Sequence, residues 1–162
     1  MCLLTIVCSL VLGLTLPADP QPKADQVLVV KSERKLLLLR HGQMFREYAI
    51  SLGKRPFGHK WEEGDQRTPE GHYVLDWRNP TSRFYRSIHV SYPDDTDLSY
   101  ARMAGVDPGG NIMIHGLPND STWASWWVGR WDWTDGCIAV TNEAMDEIWM
   151  AVDEGTPIEI RP

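Results

Sequence analysis

The chain has 162 residues with 16 basic and 22 acidic side chains, a formal net charge of −6, and a length that suits one domain with a sizeable core. A hydrophobic content of 43% with 23% charged residues excludes intrinsic disorder. The acidic balance and the lack of clustered lysine and arginine exclude nucleic acid as a partner, and no basic amphipathic stretch is present for a membrane surface.

The first 18 residues carry no charged side chain and are dominated by leucine, valine and isoleucine. A transmembrane helix needs about 20 apolar residues, whereas a signal peptide needs only about 7–15 before a small residue. We therefore predict a signal peptide over residues 1–18, a Pro-rich linker over residues 19–25, and an exported protein with no transmembrane span after cleavage. A buried N-terminal strand or helix is the alternative. Cleavage would leave Cys137 as the one cysteine of the exported protein.

The next part of the chain predicts short strands followed by a long loop. Residues 26–30 and 35–39 predict two strands joined by a polar turn, and residues 44–50 predict a third. Consecutive short strands with polar turns favour an antiparallel meander. Residues 53–71 are dense in glycine, proline and charge, which indicates an ordered loop or a partner-facing surface.

The middle of the chain predicts further strands. Residues 72–77 and 84–92 predict two, the second with alternating polar and apolar side chains. Residues 94–104 are polar and predict a short helix or a loop. The turn sequence Pro-Gly-Gly-Asn at residues 108–111 precedes an apolar strand at residues 112–114.

Tryptophan is concentrated between residues 123 and 133. Trp123, Trp127 and Trp131 recur every four residues, which predicts a short helix that packs its bulky faces inward. Stacking of these rings on sugars is the alternative.

The C-terminal residues predict a helix and a closing strand. Thr141 or Asn142 is expected to cap a helix over residues 143–152, with Gly155 ending it and a strand at residues 157–160. We find no internal repeat and no second domain. The sequence therefore predicts a mostly β domain with one or two helices.

Two segments carry residues suited to nucleophilic catalysis. His115 ends an apolar strand, and Cys137 lies in the sequence Thr-Asp-Gly-Cys-Ile. A thiol with a pKa near 8.5 is only a few per cent ionised at neutral pH, and a neighbouring imidazole removes that limit by taking the proton and later delivering it to a leaving amine. The amides of Gly136 and Cys137 are candidate donors to an oxyanion. A small buried thiol and a core histidine are the alternatives.

The histidines and cysteines form no close cluster, so the sequence predicts no metal site, and the proposed chemistry needs no cofactor.

Several ordered motifs resemble one enzyme family. Residues 64–71 are Gly-Asp-Gln-Arg-Thr-Pro-Glu-Gly, and a His-Gly pair at residues 115–116 precedes Thr-Asp-Gly-Cys at residues 134–137. In this order, over residues 26–160, the chain resembles the L,D-transpeptidase catalytic domain, also called the YkuD or ErfK family. The resemblance implies a YkuD-like β-sandwich over residues 26–162.

The resemblance also implies an activity: cleavage of a peptidoglycan stem peptide after its third residue, commonly a diaminopimelate. Cys137 would be the nucleophile and His115 the general base and acid. The acyl group would pass to an amine on a second stem or a wall-linked protein, or to water, in the periplasm or cell envelope. The alternatives are a hydrolase of the same fold, either a carboxypeptidase or an enzyme that releases wall-linked proteins, and a silent wall-binding module.

Further residues are expected to contact substrate on the strength of the resemblance: His59, Arg67, Tyr92, Gly116, Thr134 and Asp135. The alternative for His59 and Arg67 is a solvated loop. The alternative for Tyr92 is aromatic packing at a strand end, and the alternative for Asp135 is a turn-capping role. Two positions depart from the family pattern, since Asp135 stands where many members have histidine and Ala139 where many have arginine or asparagine. The missing arginine or asparagine at residue 139 favours hydrolysis.

Overall fold

The structure is a computed structural model that describes residues 22–120 and 125–162. Within these residues the strands are β1 (Gln26–Val30), β2 (Lys35–Arg40), β3 (Gln43–Ala49), β4 (Gly71–Ser82), β5 (Tyr85–Val90), β6 (Met113–His115), β7 (Ile138–Ala139) and β8 (Thr156–Arg161). The helices are α1 (Asp95–Ala104), α2 (Asn142–Ala151) and a short 3-10 helix, Ser125–Trp127. The predicted signal peptide, residues 1–18, lies outside the described residues.

The eight described strands form one hydrogen-bonded sheet in the order β3-β2-β1-β8-β4-β5-β6-β7. The predicted antiparallel meander of the first three strands is confirmed. The closing strand β8 lies between β1 and β4, parallel to the first and antiparallel to the second. The sheet curls so that the chain leaving β3 reaches the far edge, where Ser51 bridges Ala139 of β7. The expected mostly β fold with one or two helices is confirmed, since the described residues form two α-helices.

Alternating side chains of the strands build the core. Val27 and Val29 of β1 are fully buried, as are Leu36 and Leu38 of the neighbouring β2. Burying each such aliphatic side chain contributes about 1.5–3 kcal/mol. Helix α2 adds its apolar face to the same cluster through Met145, Ile148 and Ala151.

Capping side chains determine where both α-helices begin. Asp94 accepts hydrogen bonds from the first turn of α1 and forms a capping box with Asp97, which explains why this polar segment is a helix rather than a loop. Thr141 caps α2, accepting from the Ala144 N–H at 3.2 Å. Helix α2 ends at Ala151, so Gly155 lies in the following turn and does not cap it. Neither described helix has the length and apolar character needed to cross a membrane.

The predicted inward-packed tryptophan helix is wrong within the described part of its segment. The helical residues there are Ser125–Trp127, in a 3-10 turn. Trp126 and Trp131 are 59% and 62% exposed. Gly129 lies between Trp127 and Trp131 and has a φ of +79°, which a right-handed helix does not adopt. It lies so close to Ala49 that a Cβ at residue 129 would be 2.9 Å from the alanine Cβ. Trp123 lies outside the described residues.

The last residues of the predicted linker pack against the domain. Ala24 is buried and donates its N–H to the Ala151 carbonyl at 2.9 Å.

Strand alternation places His115 and Cys137 on the same face of the sheet. Ile114 enters the core, so its neighbour His115 points to the opposite face. The register pairs His115 with Ser87 on one side and Ala139 on the other. Because Cys137 precedes Ala139 by two residues, it shares that face with His115.

Candidate active site

A cleft of about 450 Å³ opens on the face of β5, β6 and β7 that points away from the core. Its walls come from the β4–β5 hairpin, the turn before β6 and the turn before β7. The lining residues are Asn79, Thr81, Ser82, Arg83, Phe84, Ser87, Asn111, Met113, His115, Trp133, Thr134, Asp135 and Cys137. The cleft therefore brings together the two residues that the sequence singles out for nucleophilic chemistry.

His115 is held in one orientation at the base of this cleft. Its Nδ1 lies 2.7 Å from the Gly116 carbonyl oxygen, and a carbonyl only accepts hydrogen bonds. We therefore assign the proton to Nδ1, which leaves Nε2 with a free lone pair. The ring packs against Phe84, with centroids 4.7 Å apart, and against Trp133 at 5.7 Å.

Burial keeps the His115 imidazole uncharged. The residue is only 4% exposed, and this burial lowers the pKa of His115 to about 4, against the opposing effect of the Gly116 carbonyl. The imidazole is therefore neutral at pH 7 and able to accept a proton.

Gly116 serves the orientation of His115 rather than an open surface. It is buried, and its N–H donates to the Phe84 carbonyl at 3.1 Å. A Cβ at this position would lie 2.7 Å from the Asn142 Oδ1, so only glycine fits. Gly116 does not line the cleft, and its contact with substrate stays a prediction.

Cys137 is partly buried at the other side of the cleft. Its Sγ donates to the Asn111 carbonyl at 3.6 Å. Burial raises the pKa of the Cys137 thiol, opposed by a hydrogen bond from the Met113 backbone. With His115 also neutral, the resting pair is a thiol and an imidazole rather than a thiolate–imidazolium ion pair.

The turn before Cys137 is built by Thr134. The Thr134 hydroxyl donates to the Cys137 carbonyl at 2.8 Å and accepts from the Gly136 N–H at 3.1 Å. Gly136 has a φ of +133°, and a Cβ there would lie 2.7 Å from the Arg67 carbonyl. Because the Gly136 amide is already used, the Cys137 amide is the better placed candidate for holding an oxyanion.

Asp135 lines the cleft, and its carboxylate bonds to Lys54 and Gln66 rather than to His115. It is 78% exposed, and its Oδ1 accepts from the Lys54 Nζ at 2.9 Å and the Gln66 Nε2 at 3.4 Å. The hydrogen bond from Lys54 holds the pKa of the Asp135 carboxyl below its usual value. The Gly116 carbonyl holds the His115 ring, and Thr134 rather than Asp135 caps the turn before Cys137.

His59 and Arg67 lie in a hydrogen-bond network behind the cleft. The His59 Nδ1 accepts from the Glu70 N–H at 3.0 Å, and its Nε2 lies 3.0 Å from the Asp97 carboxylate on α1. Arg67 donates to the His59 carbonyl at 3.4 Å. Neither residue lines the cleft, and both brace the 53–71 loop; their contact with substrate stays a prediction.

Tyr92 belongs to the core rather than to the cleft. It is 2% exposed, and its hydroxyl donates to the Pro108 carbonyl at 3.0 Å. Tyr92 continues the buried alternation of Ile88 and Val90 beyond the end of β5. Aromatic packing at a strand end therefore describes it better than substrate contact.

Lys31 is a buried residue that sequence reasoning missed. Its Nζ donates to the carbonyls of Gly58 and Thr68, at 2.7 and 2.8 Å, and to the Glu70 carboxylate at 2.8 Å. These bonds tie the 53–71 loop to the end of β1, while burial lowers the pKa of Lys31. The alternation of Val27 and Val29 is the signal that could have found it, since Lys31 follows on the same face.

Phe84 and Asn111 also went unnoticed in the sequence. Phe84 forms a wall against His115, and Asn111 supplies the carbonyl that holds the thiol. No local sequence pattern marks either contact, because both come from turns brought together by the sheet. In the described residues, no group of three or more histidine, cysteine or acidic side chains is arranged to hold a metal.

Comparison with known proteins identifies the family. The profile of the YkuD family, the L,D-transpeptidase catalytic domain, matches residues 24–160. The chain belongs to this family. The resemblance carried by the motifs at residues 64–71, 115–116 and 134–137 is thus confirmed.

Individual relatives of the L,D-transpeptidase family agree. The chain is 32% identical over 133 residues to "Putative L,D-transpeptidase YafK" of Escherichia coli (strain K12), covering 78% of this chain and 46% of that protein. The helical cell shape determining protein Pgp2 of Campylobacter jejuni has 27% identity and a TM-score of 0.62, covering 83% of this chain and 46% of that one. An L,D-transpeptidase of Mycobacterium smegmatis, at 14% identity and a TM-score of 0.57, supports the fold alone, covering 85% and 58%. The chain thus spans about half the length of these relatives.

Proposed function

We propose that this L,D-transpeptidase-family domain cleaves peptidoglycan stem peptides after their third residue, through an acyl-enzyme on Cys137. The observation that carries the proposal is the shared cleft, in which His115 presents a free Nε2 on the same sheet face as the Cys137 thiol. Membership of the family supports the choice of substrate.

The first half of the reaction uses both side chains. As the Cys137 Sγ attacks the carbonyl carbon, its proton passes to the His115 Nε2 and an S–C bond forms. The Cys137 amide donates to the developing oxyanion. The C–N bond then breaks, and the His115 proton passes to the departing amine. The product is a thioester between Cys137 and the third residue of the stem.

The second half of the reaction depends on the acceptor. An amine on another stem or on a wall-linked protein gives transfer, and water gives hydrolysis. In both, His115 takes a proton from the attacking group and returns it to the thiolate as the thioester breaks.

One observation favours hydrolysis as a second candidate. Where many family members carry arginine or asparagine, this chain has Ala139, which is fully buried and paired with Ser51 at the sheet edge. Strand β7 therefore supplies no long polar side chain at this position for an acceptor. A carboxypeptidase or an enzyme that releases wall-linked proteins would fit this arrangement.

We also propose that the domain is exported to the periplasm or cell envelope, the compartment of its substrate. The uncharged apolar run over residues 1–18 supports a cleaved signal peptide, followed by a linker over residues 19–25 and the catalytic domain over residues 26–162.

Product masses test the reaction. Purified muropeptides incubated with the protein should lose a terminal residue if water is the acceptor, or gain crosslinks if an amine is. His115→Ala should reduce turnover by at least about 100-fold with a nearly unchanged melting temperature. Unchanged muropeptides that still bind would contradict the proposal and support a silent wall-binding module.

A further inference from the structure

Arg83 is the cationic residue that lines the cleft. It lies in the turn between β4 and β5, and the cleft lining given above contains no other lysine or arginine. Asp135 also lines the cleft, but Lys54 pairs with its carboxylate. Arg83 also lines an adjoining cavity with Asp120 but forms no ion pair with it, so the unpaired charge of the cleft is that of Arg83.

The Arg83 guanidinium has no acceptor within residues 22–120 and 125–162. Some arginines elsewhere are paired with carboxylates, such as Arg34 with Asp132 and Arg86 with Asp146, but Arg83 is the one that lines the cleft. An exposed arginine with planar N–H donors and no partner suits a bidentate bond to a carboxylate.

The backbone that carries Arg83 is held firmly. Asn119 donates its N–H to the Arg83 carbonyl at 3.1 Å and its side-chain amide to the Ser82 carbonyl at 3.0 Å. The Asn119 side-chain oxygen accepts from the Tyr85 N–H at 2.9 Å. The turn therefore presents the guanidinium from a fixed base.

The turn that carries Arg83 lies next to His115. The next residue, Phe84, packs its ring against His115 with centroids 4.7 Å apart. Arg83 thus borders the part of the cleft next to the imidazole. A substrate carbonyl between His115 and Cys137 would have its flanking groups within the same 450 Å³ cleft as the guanidinium.

We propose that Arg83 binds a carboxylate of the stem peptide and so selects substrates with a free acid near the cleaved bond. This inference rests on the proposed function. A stem that ends after its fourth residue offers a C-terminal carboxylate, and a diaminopimelate third residue offers a side-chain carboxylate. Ala139 on β7 cannot make this contact, because its side chain is a buried methyl group.

Binding to an inactive protein tests the assignment without turnover. A tetrapeptide muropeptide is titrated into Cys137→Ala and into Cys137→Ala/Arg83→Gln, with Cys137→Ala/Arg102→Gln as the matched control. Arg102 is an exposed arginine on α1 outside the cleft. Arg83→Gln should weaken binding roughly ten-fold, whereas the control should bind as the parent does. Arg83→Lys, which keeps the charge but loses the planar fork, should fall between the two.

Two modified muropeptides identify the carboxylate. One carries a C-terminal amide, and the other an amide on the diaminopimelate side chain. The ten-fold effect of Arg83→Gln should vanish for the form that lacks the partner and persist for the other. With the active protein, Arg83→Gln should raise KM roughly ten-fold and leave kcat within about two-fold.

Failure of the two proposals would look different. The role of Arg83 would be overturned if the Arg83→Gln and parent proteins bound the muropeptide equally well. It would also be overturned if Arg83→Gln weakened binding ten-fold for each of the two amidated muropeptides. Muropeptides that bind in an Arg83-dependent manner but are never processed by the unsubstituted protein would instead contradict the proposed function and leave the Arg83 contact standing.

Discussion

His115 and Cys137 share a cleft in which both are uncharged at neutral pH. Burial lowers the pKa of His115 to about 4 and raises the pKa of the Cys137 thiol. In the proposed reaction the thiolate would therefore form during attack, as the imidazole takes the thiol proton, rather than be present at rest. The Gly116 carbonyl sets the tautomer that makes this transfer feasible.

This protonation state predicts how Cys137 reacts with a small alkylating agent. Only the thiolate reacts with iodoacetamide, so the labelling rate should keep rising above pH 9, because the pKa of Cys137 is raised. Mass spectrometry of the Cys137 peptide gives this rate. A rate that is already constant near pH 6–7 would indicate a stored thiolate–imidazolium pair and contradict the neutral state.

The lowered pKa of His115 also predicts a pH dependence of stability. In the unfolded chain His115 takes up a proton near pH 6.5, whereas in the folded protein it does so near pH 4. The stabilisation that depends on the neutral imidazole is therefore fully present above pH 6.5 and is lost as the pH falls towards 4. The loss reaches about 3 kcal/mol. Urea unfolding at pH 7 and pH 4.5 should show a larger fall for the unsubstituted protein than for His115→Gln. The same fall in both proteins would contradict the buried neutral imidazole.

At the scale of elements, the 53–71 loop positions the turn that carries Cys137. Lys31 and Asp97 anchor the loop to β1 and α1, and the Arg67 carbonyl lies against Gly136. The Gly-Asp-Gln-Arg-Thr-Pro-Glu-Gly motif in this loop thus acts as a brace behind the cleft. The motif is visible in the sequence, but its bracing role is not, because the residues that the loop contacts lie far away along the chain.

Removing the buried amine should loosen this brace. Lys31→Met leaves two carbonyls and the Glu70 carboxylate without their donor, which should lower the free energy of unfolding by about 2–4 kcal/mol. Lys35→Met is the matched control, because Lys35 pairs with Glu47 at the exposed surface and its loss should destabilise the fold far less. Equal losses in urea unfolding would contradict the bracing role.

Across the whole molecule, the sequence predicts what depends on local pattern. The alternating strands from Gln26 onwards and the cap at Thr141 follow from neighbouring residues. The sequence singles out His115 and Cys137 by residue type, but the shared cleft comes from the pairing of β6 with β7. The burial of Tyr92 and the pairing of Asp135 with Lys54 depend on how the 53–71 loop folds over the sheet. Such long-range contacts leave no pattern in the sequence.

The exposure of the tryptophan side chains also depends on long-range contacts, and it predicts how much each contributes to stability. Trp126 and Trp131 are exposed, so replacing both with serine should change the free energy of unfolding by less than about 1 kcal/mol. Trp149 packs against the core and lies under the Arg78 guanidinium, so Trp149→Ser should cost about 2–4 kcal/mol. If the double substitution lowered the free energy of unfolding as much as Trp149→Ser does, the exposed position of Trp126 and Trp131 would be contradicted and the inward-packed helix supported.

Acylation of Cys137 is the central claim, and the mass of the intact protein tests it most directly. We expect a carbapenem to acylate Cys137, so incubation with one should add the mass of the drug to the unsubstituted protein and nothing to Cys137→Ala. Peptide mapping should place the added mass on Cys137. Equal labelling of both proteins, or no labelling of either while the fold is intact, would contradict the account.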